Sequence, residues 1–408
     1  MRQRVLKWMF AGSVCIVATC AMTATGADRH AWVDTWTATP DIAGPALNAQ
    51  TVRQIVRTSV GGSEVRVRLS NLFGSVPITL GPVHVALGAE EADAVPGSDH
   101  ALLFNGKPIV TITKGESVLS DPVTMDVKAL QKLAVSIYVP ADARYHASTI
   151  HNAALATAYI TETGDATAAV QYPRDEVSGN RFFLTDVEVA GPATKHTLVA
   201  FGDSITDGVG SKENANERWP DYLAARLQAD AKLKSIGVAN AGIGGNRILH
   251  DDYGPSAPAR FDRDALDKPG VRWIVLLEGI NDIGGSGYAW ELKDKVVAQQ
   301  LIDGMKTLIA RAHARHVKVY GATLTPYGGS GWPYHSVAGE KTRQQVNAWI
   351  RSPGAFDGVM DFDKAVRDPA APEKMLAAYD SGDHLHPNSA GYRAMANAVD
   401  LSLFADKP

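Results

Sequence analysis

Three residues in the second half of this sequence are of the types that acyl transfer needs: a serine on a tight turn, a histidine, and an aspartate three positions before it. Ser204 closes the stretch Val199-Ala200-Phe201-Gly202-Asp203-Ser204. The apolar run 198–201 predicts a short buried strand, and a helical pattern begins near Arg218. A serine at the carboxyl end of such a strand stands where open α/β sheets place their chemistry. A glycine-bearing turn can hold its hydroxyl out toward a cleft, although serine also caps ordinary turns.

Serine catalysis requires a nucleophile, a base, a group that orients the base, and donors for the oxyanion. Asp383 and His386 lie in Ser381-Gly382-Asp383-His384-Leu385-His386-Pro387-Asn388. Residues three apart share a face in one helical turn. The carboxylate can therefore fix the imidazole tautomer while the other ring nitrogen takes the serine proton. Asp380 is a second candidate for orienting the base. His384 and His386 together suggest metal ligands, but no further ligand cluster and no His-Glu-x-x-His pattern accompanies them, so His384 reads as structural.

Two loops offer oxyanion donors. Glycines in Asn240-Ala241-Gly242-Ile243-Gly244-Gly245-Asn246 allow a backbone N–H to approach a ligand closely. A dinucleotide reading of that loop fails, because Arg247 stands where the third glycine belongs. In Gly279-Ile280-Asn281-Asp282 an asparagine amide can donate to a developing oxyanion, though Asn-Asp after a strand also serves as a turn or a helix cap. No metal and no cofactor is expected.

The elements that must carry these residues change character along the chain. Residues 28–192 predict short strands, over 63–69, 83–87, 109–112, 133–139 and 181–189, punctuated by Gly61-Gly62, Gly81-Pro82 and Asn105-Gly106. That rhythm argues a β-sandwich, jelly-roll-like. The segment Trp32 to Trp36 can pack within it or against the second half. Beyond Gly191-Pro192-Ala193, residues 193–408 alternate strands with helices. Strands are expected over 197–201, 235–239, 273–277, 317–324 and 358–362. Helices are expected over 219–233, 296–316, 339–350 and 389–404. This alternation predicts a parallel α/β sheet.

The chain of 408 residues opens with Arg2, Arg4 and Lys7, an apolar run from Trp8, and small residues Thr25-Gly26-Ala27. This is the layout of a signal peptide over 1–27, and export to the periplasm or beyond is expected. Both cysteines, Cys15 and Cys20, lie in that leader, so the remainder has no disulfide or thiolate chemistry. Lipidation at Cys20 is a minor alternative. Without the leader, 37 basic residues face 44 acidic ones, a formal charge of −7. With no basic stripe, nucleic acid and anionic membranes are not expected as partners, nor is a membrane span after cleavage.

Taken together, the Gly-Asp-Ser block at Ser204, the Asn-x-x-x-x-Gly-Asn loop with Gly245, the Gly-x-Asn-Asp block with Asn281 and the Asp-x-x-His pair resemble the SGNH/GDSL hydrolase superfamily. The resemblance covers roughly 195–404. It implies a flavodoxin-like SGNH fold, Ser204 as nucleophile, His386 as general base and acid, and Asp383 as its orienter. It also implies an oxyanion hole from the Ser204 N–H, the Gly245 N–H and the Asn281 side chain. Gly-x-Ser-x-Gly, the elbow of ordinary α/β-hydrolases, is absent.

Within that superfamily, residues 201–210, 240–249, 259–264 and 379–392 are similar to the secreted arylesterase-like subgroup associated with plant cell-wall polysaccharides. The similarity implies acetyl or aryl esters on oligo- or polysaccharides as substrate. Tyr288, Trp290, Trp332 and Tyr334, beside two glycine-rich loops, can stack on sugar faces or simply pack those loops. A lipase or lysophospholipase of the same superfamily is the second reading, and a non-catalytic glycan-binding protein the third.

Overall fold

The computed structural model describes residues 31–192, 195–285, 295–331 and 333–405. The expected leader over 1–27, with Cys15 and Cys20, lies outside them, as do Tyr288, Trp290 and Trp332.

From His196 onward the chain builds a parallel sheet of five strands: β1 (His196–Gly202), β2 (Ile236–Gly242), β3 (Val271–Leu277), β4 (Lys318–Ala322) and β5 (Gly358–Met360). Their spatial order is β2-β1-β3-β4-β5. Leu198, Val199, Ala200 and Phe201 of the central strand are fully buried, as an unbroken apolar run in a covered parallel sheet should be. β1 pairs in register with β2 from His196↔Ile236 to Gly202↔Gly242, and with β3 up to Gly202↔Leu277. The strand order reverses about β1, which makes its carboxyl end the crevice of a doubly wound sheet. Ser204, the 243–246 loop and Asn281 all lie there, because each directly follows one of these three strands.

Five helices matter for the site: α1 (Ser204–Asp207), α2 (Trp219–Ala229), α3 (Ala298–His313), α4 (Val337–Ile350) and α5 (Ser389–Asn397). On α3 the buried residues Ala298, Leu301, Ile302, Met305, Leu308, Ile309 and Ala312 recur at helical spacing and form one apolar stripe. α3 packs on α4 and β4, while α2 packs on β2 and α5.

The first half is strand-rich and antiparallel. One sheet runs Ala31–Thr37, Leu184–Gly191, Gly62–Ser70, Val123–Val127. Another runs Glu176–Ser178, Ala158–Ile160, Gln50–Arg57, Lys132–Val139, Val83–Leu87, His100–Leu102. Their inward residues meet in one apolar cluster, Val65, Val67 and Val187 with Val52, Val85 and Val135. Between the inward residues of Gly62–Ser70, Arg66 and Arg68 reach across to Glu188.

The aromatic segment does both things the sequence allowed. Ala31–Thr37 pairs with Leu184–Gly191 and also lies against the α/β half. The Asp34 N–H donates to Thr197 Oγ1 at 3.0 Å, and the Val238 N–H to Ser59 Oγ at 2.8 Å. Gly237 is needed at that seam, since a Cβ there would stand 2.3 Å from the Asp34 carbonyl oxygen.

Two expected elements differ. The strand over 181–189 is broken at Phe183, whose φ of 59° is left-handed, into Arg181–Phe182 and Leu184–Gly191. The last helix stops at Asn397, and Leu401–Phe404 forms a separate 3-10 turn because the Asp400 side chain accepts from the Ser402 N–H. Short helices over Ala257–Phe261, Ile280–Gly285 and Phe362–Val366 were not legible as periodic patterns. Among the described residues no helix is long and apolar enough to cross a membrane.

Candidate active site

β1 ends at Gly202, where the backbone is crowded: a Cβ would lie 2.5 Å from the Leu277 carbonyl oxygen. Asp203 then closes the turn, its side chain accepting from the Ile205 N–H at 2.9 Å. The single turn of α1 follows and stops at Gly208, whose φ is 109°. Ser204 is thereby held, largely buried, at the start of α1. Its Oγ lies 2.8 Å from His386 Nε2.

His386 comes from the loop before α5. Asn388 caps that helix by accepting from the Ala390 and Gly391 N–H groups, and its amide donates back to the Ala378 and Asp380 carbonyls. The Tyr392 hydroxyl donates to the Val209 carbonyl at 2.5 Å and ties α5 to the nucleophile turn. His386 Nδ1 lies 2.6 Å from Asp383 Oδ2, while Asp383 Oδ1 accepts from the Leu385 and His386 N–H groups. Burial opposes the Asp383 charge, but the His386 ring and these amides outweigh it and hold the carboxyl below the usual carboxylate range. Asp380 belongs to a second pair, with Oδ2 2.5 Å from Nδ1 of the exposed His384. It therefore does not orient His386.

The donor loops are locked together. Both Asp282 carboxylate oxygens accept backbone amides of the 243–249 loop, from Ile248 and Leu249 at 2.9 Å each. Burial lifts Asp282 to about 6 against the pull of those amides. The Asn281 amide donates to the Asn246 carbonyl at 3.0 Å, and its Oδ1 lies 2.8 Å from the Tyr334 hydroxyl. Gly245 has a φ of 74°, and the Tyr253 ring stands where its Cβ would be.

Beneath the strand ends lies Arg260, wholly buried. It donates to the Gly202 carbonyl at 2.9 Å, the Ala241 carbonyl at 2.8 Å, Asn246 Oδ1 at 2.8 Å and Glu278 Oε1 at 3.3 Å. One cation thus touches the ends of β1 and β2, the donor loop, and the residue after β3. Burial first, then the Asp203 charge, push Glu278 well above its ordinary range, and burial lifts Asp203 to about 7. From the strand-rich half, His151 places Nδ1 2.7 Å from the Thr39 carbonyl and Nε2 3.2 Å from Asp207 Oδ1, at the far end of α1.

The structure therefore brings Ser204, His386 and Asp383 into one hydrogen-bonded row, and places Asn281 against the Gly245–Asn246 loop. Arg260, Asp282, His151 and the hydroxyl of Tyr334 had no role in the sequence reading. Arg260 had a signal: a charge among Ala257, Phe261 and Ala265 at helical spacing must be buried, and a buried guanidinium needs acceptors. His151 had none, since its contact spans 56 residues. Among the described residues no group of three or more His, Cys, Asp or Glu side chains could hold a metal ion.

A serine at the crevice of a sheet ordered β2-β1-β3-β4-β5, facing a histidine from the loop before the last helix, is the frame of an SGNH-type hydrolase. Residues 200–394 match the GDSL-like Lipase/Acylhydrolase family. This part of the chain is a member of the SGNH/GDSL superfamily, and the protein is a carboxylic ester hydrolase. Similar solved structures include a G-D-S-L family protein from Desulfitobacterium hafniense, at 22% identity and TM-score 0.38, covering 50% of this chain and 97% of that one. A GDSL-like lipase from Bacteroides thetaiotaomicron is 19% identical with TM-score 0.36, covering 51% and 87%. The aryl esterase of M. smegmatis is 17% identical with TM-score 0.39, covering 50% and 95%. No curated protein matches the chain.

Proposed function

We propose that the protein is a serine esterase, acting outside the cytoplasm, that removes small acyl groups, acetyl or aryl, from esters of plant cell-wall carbohydrate. The observation that carries this reading is the row Ser204 Oγ, His386 Nε2 at 2.8 Å, then His386 Nδ1 to Asp383 at 2.6 Å. In this reading His386 takes the Ser204 proton as Oγ adds to the ester carbonyl. Negative charge then develops on the carbonyl oxygen, where the Ser204 N–H, the Gly245 N–H and the Asn281 amide donate to it. Collapse of the tetrahedral adduct expels the alcohol, which leaves with the proton from His386. Water then repeats the sequence on the acyl-enzyme and releases the acid. Asp383, held ionised, fixes the tautomer and stabilises the imidazolium. The strand-rich half, read as a jelly-roll-like accessory domain, braces α1 through His151.

The test is hydrolysis of p-nitrophenyl acetate and release of acetate from acetylated xylan, by the native protein and by Ser204→Ala. The variant is expected to lose at least about 10³-fold in kcat on both. Equal rates would remove the serine mechanism. Activity on the aryl ester without acetate release from xylan would remove the carbohydrate assignment alone.

A further inference from the structure

We infer that Tyr334 is a positioning residue for the reaction: its hydroxyl sets the amide of Asn281 so that nitrogen, not oxygen, faces the developing oxyanion. The inference rests on the donor role proposed for Asn281.

An asparagine amide is nearly symmetric in shape, and its last torsion is broad, so by itself it offers a ligand either NH2 or carbonyl oxygen. The wrong choice would aim an acceptor at negative charge. Here two neighbours decide it. The Asn246 carbonyl, 3.0 Å away, can only accept, so the atom facing it is Nδ2. The other side of the amide is then Oδ1, which can only accept, and the Tyr334 hydroxyl 2.8 Å from it must donate. The Asn246 bond uses one amide hydrogen and leaves the second for a ligand. A proton donated onto Oδ1 also draws electron density from the nitrogen, which strengthens that second N–H as a donor.

The fold makes room for this arrangement. The Tyr334 ring lies against Gly284, where a Cβ would fall 2.2 Å from it, and meets Tyr327 edge to face at 6.1 Å. The ring reaches Asn281 only because position 284, three residues further along the same short helix, has no side chain. In the sequence Tyr334 could stack on a sugar face or pack its loop; in the fold its ring packs on Gly284 and Tyr327, and its hydroxyl engages Asn281.

The experiment is a double-mutant cycle on p-nitrophenyl acetate hydrolysis. Asn281→Ala should lower kcat by about 10²–10³. Tyr334→Phe, which keeps the ring, should lower kcat about 3- to 10-fold with KM within about twofold, the span of one neutral hydrogen bond. In the Asn281→Ala background Tyr334→Phe should cost less than about twofold, because the amide it sets is gone. An equal cost in both backgrounds, or a rise in KM alone, would overturn the inference while leaving the esterase reading intact. No loss in Asn281→Ala would overturn the donor role itself, and the inference with it.

Discussion

Replacing Arg260 by Met tests whether one buried cation holds the crevice together. The side chain is of similar length, so the change removes charge and donors while refilling most of the space. Four acceptors lose their partner: the Gly202 and Ala241 carbonyls, Asn246 Oδ1 and Glu278 Oε1. Hydrogen bonds to a charged group contribute about 1.5–3 kcal/mol each, but bonds made by one side chain do not add. Breaking a buried ion pair by removing one partner costs about 3–5 kcal/mol, and that range is expected here. For an α/β unit of this size it corresponds to a fall of roughly 6–20 °C in melting temperature. The sign of the pH dependence follows from Glu278. Burial, then Asp203, already lift its pKa, and Arg260 pulls it down; without Arg260 it rises further. A folded pKa above the unfolded one favours the protonated native state at low pH, and stability is lost as pH rises toward the folded value. The deficit should therefore be smaller at pH 5 than at pH 8. Urea unfolding followed by circular dichroism at both values measures it. A loss below about 1 kcal/mol at pH 8, or a larger deficit at pH 5, would refute the reasoning.

The two neighbouring Asp–His pairs should separate cleanly: Asp383→Asn is expected to lower kcat about 10²- to 10⁴-fold, and Asp380→Asn by no more than about fivefold, with the reverse ranking overturning the assignment. Because Asp383 is held below the usual carboxylate range, it stays ionised through mild acid, and the acid limb of kcat should follow a single proton. A slope near two would place a second group in the titration. His151→Ala should cost about 1–2 kcal/mol. The His151 pKa is raised because, although burial lowers it, Asp207 more than compensates. That stabilisation is fully present below the unfolded value near 6.5 and fades as pH rises through the folded one, so thermal melts of the two proteins should converge in alkali.

The candidate site residues could be picked out because each directly follows a strand or precedes a helix, where local rules are strong. Ser204 after the run 198–201, and His386 before the Asn388 cap, needed only local patterns. Spacing favoured Asp383 and kept Asp380 as a second candidate. In the fold the two carboxylates pair with different rings: His384, held in a left-handed conformation with φ 62°, lies against Asp380, and His386 against Asp383. What stayed hidden depends on distance in the chain. The carboxylate of Asp282 turns back onto the amides of Ile248 and Leu249, and Arg260 gathers four acceptors from three separate segments. No window of the sequence contains those partners. The ends of the long helices shifted for a simpler reason: caps such as Asp400 act through one side-chain bond, which periodicity does not register.

The seam at β2 bears on how this chain can be divided. β2 is the outermost strand of the parallel sheet, and its free edge is met by Ser59 at Val238 and by the Asp34 backbone at Gly237. A fragment starting near residue 195 would bare that ribbon of amides and carbonyls, a template on which other copies can assemble edge to edge. The matched segment 200–394 is thus a poor choice of boundary for expression, because it leaves out the segments that lie against that edge.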